Sequence, residues 1–446
     1  MRTSGLLNIA EAKRLIAFII GLCLFCQASF PVSQRPGSAK TFPDERIQAL
    51  LKALDGEVKG YITNGDIVGA ELLVVKDTKT LLNETYGWKD REDSLLLTPG
   101  ALFNIRSMSK VLTGVAAMTL IDDGKINYND NLGKFFPPLE GTLLEKITIS
   151  QLLSHTSGLP LSLVTDAAYM TKWTSLEEMV LSIRESDIIL PPGYRFWYSD
   201  AGADFLGAVV EKVSGEPLQD YIGRKVLNPL GMTQTQVITS GKKYAGDVVS
   251  LYLKYGGRWV KGWSQAGNPL YPFAWGSQSY YGTPSDYSRL LMMIMNRGEK
   301  DNVRVLSRRL ADRMLSPLNP MNQLGNDLPV STGFPGYSVK YGQMMIVYEP
   351  GLKDKGHPLI FGHSGSDGTM SYAIPDLGLT VLLFTQSRNN PVRIGFEKTI
   401  SKSLFGSAES NMEPKSSESE HAGRYINRAD GSWWEIHYEG GFRVLS

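Results

Sequence analysis

Two groups of short, apolar, turn-bounded runs stand at opposite ends of this chain, with a long and mostly helical stretch between them. Early in the chain, IVGAELLVV and TLLNETYG flank the turn KDTK and read as a β-hairpin. In the last third, YSVKYGQMMIVYEPG, PLIFGHSG, TMSYAIP and LTVLLFTQ have the same character. A lone hairpin is marginal in water, so strands at both ends find partners most simply in one shared antiparallel sheet. The helical middle then becomes an inserted lobe, an α/β (α+β) arrangement. A cleft between sheet and lobe is the default place for a ligand.

The helical expectations are specific. Residues 42–60 place Ile47, Leu51, Leu54 and Val58 on one face. A helix follows Ser107, carries Val111, Leu112, Val115, Met118 and Ile121 on an apolar face, and stops at Gly124. Thr174 with Glu177, or Ser175 with Glu178, offers a capping box. AGADFLGAVVEKVSG and PLQDYIGRKVL read as two further helices. Thr283 and Pro284 open another, as N-cap and first helical residue, which ends at Gly298. PVRIGFEKTISKSLF is the last helix.

The termini read differently. Lys13 and Arg14 precede the apolar run LIAFIIGLCLF and then Cys26-Gln27-Ala28, the pattern of a signal peptide over residues 1–28. The expected location is therefore exported, periplasmic or secreted, with a membrane anchor if the segment stays uncleaved. Cleavage would remove Cys23 and Cys26, the only cysteines, leaving no disulfide or thiol chemistry. Residues 29–41 form a polar leader, 42–405 the main domain, 406–420 a Ser- and Glu-rich linker, and 421–446 a short β segment expected to dock on the main body. A net charge of +1 without a basic run argues against a nucleic-acid partner. The five histidines show no metal-ligand spacing, so no metal or other cofactor is expected.

The stretch NIRSMSKVLTG places Ser107 and Lys110 three residues apart at the start of a helix. Alone, this reads better as an amphipathic helix with one snorkelling lysine. Three other stretches bear on it: FWYSDAGADFLG with Tyr198, FGHSGSDGTM with His363, and LLSHTSGLP with His155. Together they resemble the serine β-lactamase and penicillin-binding protein superfamily, most of all its class C-like branch, which holds D-alanyl-D-alanine peptidases and family VIII carboxylesterases. NPLGMTQT and YGTPSDYSRLL resemble that branch too, and the likeness extends over roughly residues 42–405.

The resemblance implies a β-lactamase/transpeptidase-like fold and a serine hydrolase acting through an acyl-enzyme. A serine hydroxyl needs a base. Ser107 would be the nucleophile, and Lys110 and Tyr198 would manage protons, the first acceptor being undecided between them. The backbone N–H groups of Ser107 and Ser366 would form the oxyanion hole. His363 would have a substrate-facing or hydrogen-bonding role, Ser364 would line the site, and Gly365 would allow a close backbone approach. His155 reads as structural, ordering the turn after a buried helix. The substrate would be a small ester, amide or peptide: an esterase, a D,D-peptidase and a β-lactamase all fit, as does a non-catalytic binding or sensor protein of the same fold. GHSG also resembles an α/β-hydrolase elbow with Ser364 as nucleophile, but its fifth position is Ser366 rather than glycine.

One departure from the family pattern stands out. The second motif is usually Tyr-x-Asn and here is Tyr198-Ser199-Asp200. An ionised aspartate only accepts hydrogen bonds. It would repel a substrate carboxylate and favour short uncharged esters, or pair with Lys110, or merely cap the helix beginning near Ala201.

Overall fold

The computed structural model describes residues 44–163, 172–239, 247–267, 269–322, 329–351 and 357–406, and the backbone of 423–426, 433–438 and 442–445. The expected signal peptide, the leader and residues 407–420 of the linker lie outside the described residues.

Nine strands form the main sheet: β1 (Gly69–Lys76), β2 (Lys79–Asp90), β3 (Leu95–Leu96), β4 (Asn319–Pro320), β5 (Tyr337–Tyr341), β6 (Ile346–Pro350), β7 (Ile360–Ser364), β8 (Met370–Ile374) and β9 (Leu379–Thr385). Their spatial order is β4-β5-β6-β7-β8-β9-β1-β2-β3, and every neighbouring pair is antiparallel. The seam lies between β1 and β9, registered from Ala70 opposite Thr385 to Lys76 opposite Leu379. That seam joins the two ends of the chain, as the strand distribution predicts. The β1–β2 hairpin turns at Asp77 and Thr78, with Asp77 at φ +55°.

Both faces of the central strands are covered. Leu72, Val74, Val381 and Leu383 join one apolar cluster with α1 (Asp44–Thr63) and α5 (Val392–Phe405). Leu73, Leu382 and Phe384 point the other way, into the core shared with α2 (Ser109–Asp122), α3 (Asp200–Ser214) and α4 (Pro284–Met295). The period of two in strand side chains makes this division possible.

Some details differ from the sequence pattern. In α1 the buried residues are Ile47, Leu50, Leu54 and Val58, so Leu50 replaces Leu51 on the core face. In α2 every residue from Ser109 to Leu120 is buried. The helix has no solvated face, because sheet and lobe enclose it. The segment after Trp173 starts its helix at Leu176 with Ser175 as N-cap, while the Glu178 carboxylate accepts from the Thr174 N–H at 2.7 Å. Thr283 caps α4, accepting from the Asp286 N–H, with Pro284 in the first helical turn. In the C-terminal segment, Gly423–Ile426, Trp433–Tyr438 and Phe442–Leu445 pair as a three-stranded antiparallel sheet.

Candidate active site

The start of α2 is held from two sides. Phe103–Asn104 pairs with Tyr280–Gly282, and the Ile105 N–H donates to the Tyr280 carbonyl at 3.0 Å. Arg106 then takes φ +44°, a left-handed conformation unfavourable for a residue with a Cβ. Its side chain compensates: Nε donates to Asp367 Oδ2 at 2.5 Å and Nη1 to the Tyr271 hydroxyl at 2.6 Å. Residues 106–108 form a 3₁₀ turn leading into α2, and this turn carries Ser107. Gly365 packs against it. A Cβ at Gly365 would come within 2.5 Å of the Ile105 carbonyl oxygen and collide with Thr369. Only glycine allows the end of β7 to approach the Ser107 turn this closely.

Lys110 lies one turn beyond Ser107 and is fully buried. Its ammonium donates to Ser107 Oγ at 3.2 Å and to the Ser277 carbonyl at 3.1 Å, and meets Asp200 Oδ1 at 2.7 Å. Each of these contacts offers an oxygen to the ammonium, the environment of a protonated lysine. Burial pulls the ammonium down, but the Asp200 carboxylate and then Tyr198 outweigh it, and Lys110 ends above the ordinary lysine value.

Asp200 owes its position to a cap made by its neighbour. Ser199 Oγ accepts from the Gly202 N–H at 2.8 Å, so Ser199, not Asp200, caps α3. The cap reading of Asp200 is therefore corrected: the carboxylate is left for Lys110. One turn further along α3, Asp204 accepts from the Ser277 N–H at 2.8 Å, fixing the residue whose carbonyl receives Lys110. Burial, then the charge of Asp200, raises Asp204 to about 7.

Tyr198 stands against the pair, with Lys110 Nζ 4.9 Å from the centre of its ring. Burial first, against the pull of Lys110, lifts its pKa above the usual phenol value. The segment is anchored by LLSHTSGLP and the Leu161 that follows it. The Trp197 N–H donates to the His155 carbonyl, Ser199 Oγ to the Pro160 carbonyl and the Asp200 N–H to the Leu161 carbonyl, each at 2.7 Å. His155 itself takes φ +53°.

Behind Tyr198 runs a buried chain whose direction can be deduced. The Ser199 N–H donates to His155 Nδ1 at 3.2 Å, so the His155 proton resides on Nε2. That nitrogen donates to the Tyr341 hydroxyl at 3.1 Å. Tyr341 must then donate to His363 Nε2 at 3.2 Å, which leaves His363 Nδ1 to donate to the Ser364 carbonyl at 2.9 Å. Both rings stay neutral. Burial and then the charge on Lys110 lower His155 well below the ordinary histidine value and His363 to about 3. Of the two roles implied for His363, this geometry fits hydrogen bonding: both its nitrogens are engaged within the protein.

Ser107, Lys110, Tyr198 and Asp200 are thus brought together, with Gly365 at their edge. Ser364 is partly exposed and Ser366 exposed. Among the described residues, neither the Ser107 nor the Ser366 backbone N–H makes a hydrogen bond. Sequence reasoning missed Arg106, Asp204, Ser277, Tyr341 and Asp367. Asp367, inside FGHSGSDGTM, was within reach as the one acid in that motif, whereas Tyr341 carries no local signal.

Comparison with known proteins bears on the family and the fold. Protein flp of Staphylococcus aureus (strain N315) is 31% identical over 204 residues, 45% of this chain and 41% of that protein. The chain therefore spans less than half the length of that relative. The uncharacterized protein MT1414 of Mycobacterium tuberculosis is 28% identical over 372 residues, 75% of this chain and 90% of the other. Among solved structures, the octameric penicillin-binding protein homologue from Pyrococcus abyssi matches with a TM-score of 0.66 at 24% identity, covering 87% of this chain and 86% of that one. EstCE1, a hydrolase with promiscuous acyltransferase activity, matches with a TM-score of 0.66 at 22% identity, covering 80% and 99%. These two likenesses concern the fold. The Beta-lactamase family model spans residues 47–398, enclosing the sheet, the lobe and every side chain of the Ser107 group, and the chain belongs to that family.

Proposed function

We propose that this protein is a serine hydrolase that cleaves small esters, amides or peptides through an acyl-enzyme on Ser107. The observation that carries the reading is the contact of Lys110 Nζ with Ser107 Oγ at 3.2 Å, with the Tyr198 ring centre 4.9 Å from the same nitrogen. The resting Lys110 is an ammonium, so the reactive form is the minor one in which its proton has passed to Asp200 or to solvent. The amine then takes the Ser107 proton as Oγ attacks the carbonyl carbon. The unspent N–H groups of Ser107 and Ser366 receive the oxyanion. Tyr198 passes a proton to the leaving group, and water or another acceptor releases the acyl group. Neighbours of this fold include EstCE1, a hydrolase with promiscuous acyltransferase activity, and the D-amino acid amidase from Ochrobactrum anthropi SV3, which supports the breadth of the proposed substrate class.

The test is covalent labelling. A fluorophosphonate and a fluorescent penicillin should each modify a peptide containing Ser107, and Ser107→Ala should abolish labelling and turnover. A label on Ser364 would overturn the assignment and favour the α/β-hydrolase elbow. Export by residues 1–28 belongs to the same proposal. The mass of the mature protein recovered from its native host checks it, and retention of those residues would refute cleavage.

A further inference from the structure

We propose that Arg106 and Asp367 act as positioning residues: their buried ion pair ties the Ser107 turn to the turn between β7 and β8 and sets the spacing of the two N–H groups that receive the oxyanion. The proposal rests on the acyl-enzyme reading and assigns what holds that site in register.

The two N–H groups lie on segments far apart in the chain. The Ser107 N–H belongs to the peptide that Arg106 begins, and the Ser366 N–H stands one residue before Asp367. Among the described residues no backbone hydrogen bond joins 105–108 to 365–369. The Ile105 N–H goes to Tyr280 instead. The β7–β8 turn closes on itself, the Gly365 N–H donating to the Thr369 carbonyl at 2.7 Å and the Gly368 N–H to the Gly365 carbonyl at 2.9 Å. Arg106 and Asp367, 261 residues apart, bridge the gap: Arg106 Nε donates to Asp367 Oδ2 at 2.5 Å. The other oxygen, Oδ1, makes no hydrogen bond, and Arg388 Nε stands 3.6 Å from it, too far for one.

The conformation of Arg106 gives the tie its leverage. A φ of +44° turns the Arg106–Ser107 peptide, and with it the Ser107 N–H, into a direction that a right-handed residue would not give. That backbone is held on both sides. The Arg106 N–H donates to Asn104 Oδ1 at 3.0 Å, and the planar guanidinium is fixed by Asp367 on Nε and by the Tyr271 hydroxyl on Nη1 at 2.6 Å. Neither feature is a gain in stability. A left-handed residue with a Cβ carries strain, and the desolvation of a buried ion pair offsets most of its attraction. Strain that its surroundings over-determine, beside the reacting groups, is a mark of pre-organisation. The sensitivity is high, because a misplacement of about 1 Å lowers a rate by on the order of 10²-fold.

The experiment compares Arg106→Gly, Arg106→Lys and the double variant Arg106→Gly/Asp367→Asn with the wild type on a small neutral ester. Glycine accepts the positive φ without strain, and the double variant also removes both buried charges, so it should keep the fold even where an unpaired Asp367 unfolds the single variant. Melting curves check this. In the glycine variants kcat/KM should fall by about tenfold to a hundredfold. A phenylboronic acid, which adds to Ser107 Oγ as a tetrahedral anion and releases the hydroxyl proton, should lose affinity by the same factor. Calorimetric binding of the intact ester to Ser107→Ala should stay unchanged when Arg106→Gly/Asp367→Asn is added. Arg106→Lys, which keeps the ion pair but not the fork, should recover part of kcat/KM. A loss confined to melting temperature, or an equal loss in ester binding and boronic acid binding, would overturn the positioning role. Turnover that survives Ser107→Ala would overturn the acyl-enzyme reading itself, and the positioning role with it.

Discussion

Replacing Asp200 by asparagine removes one negative charge 2.7 Å from Lys110 Nζ and little else. The amide oxygen still accepts a hydrogen bond, and Ser199 still caps α3. An opposite charge at this range supports a cation by about 1–3 pKa units. With the carboxylate gone, burial acts on Lys110 unopposed by its main partner and pulls its pKa down. At a fixed pH well below that pKa, each unit raises the amine fraction tenfold. The acid limb of kcat/KM on a neutral ester should therefore move down by about one to three pH units. Folding moves the opposite way. In the wild type the Lys110 pKa is raised, so the stability it contributes is complete below the unfolded lysine value and is lost only as pH climbs through the native one. In Asp200→Asn that raised value falls, and wherever burial takes it below the unfolded one, stability should drop as pH falls. The buried ammonium then costs up to about 3–5 kcal/mol, less whatever the amide oxygen recovers. The assay is a pH–rate series beside a melting series on both proteins. An unmoved acid limb would refute the idea that Lys110 protonation limits acylation. If kcat also collapsed, Asp200 would be the acceptor itself.

Lys110→Ala should lower the acylation rate by ~10²–10⁴-fold while Ser107→Ala abolishes it, as stopped-flow labelling would show. Tyr341→Phe leaves two buried imidazole nitrogens without partners, about 1–3 kcal/mol each, so the melting temperature should fall measurably. The His363 pKa is depressed to about 3, so its contribution to stability is present above the unfolded histidine value and lost as pH falls toward 3; imidazole NMR signals of His155 and His363 that titrate near pH 6–7 would contradict the buried chain. A chain truncated after Phe405 should stay folded and active with a lower melting temperature; activity lost at an unchanged melting temperature would make residues 406–446 part of the site.

The parts of this fold legible in the sequence are those with a local cause. The hairpin turn at Asp77 and the Thr283 cap are decided within a few residues, and both stand where the pattern puts them. The β1–β9 seam is legible only as a necessity, because strands at both ends need partners. The Ser107–Lys110 contact follows from their spacing at a helix start. What the sequence concealed is long-range. Tyr341 lies 186 residues from His155 and 22 from His363, and it has no motif of its own. The burial of α2 on all sides was hidden for a related reason: its polar residues Ser109, Thr113 and Thr119 each find a partner inside the lobe. Ser109 Oγ accepts from the Tyr280 N–H, Thr113 Oγ1 donates to the Gly276 carbonyl, and Thr119 Oγ1 bonds the Tyr221 hydroxyl.

These long-range contacts also decide how the site is charged. The direction of the His155–Tyr341–His363 chain is set by one main-chain donor, the Ser199 N–H, and both imidazoles are thereby kept neutral at their shared tyrosine. Had either ring been protonated, a second cation beside Lys110 would have pushed the lysine toward its amine form. With the rings neutral, the balance on Lys110 falls to Asp200, which favours the ammonium, and to burial, which opposes it. Asp204 lies one turn behind Asp200 and is raised to about 7, so near neutral pH it is divided between its charged and uncharged forms. Its ionised form adds a second negative charge behind Lys110 and makes the amine harder to reach. The asparagine of the usual second motif would remove the first of these charges. The aspartate here keeps it, and Lys110 rests as the ammonium.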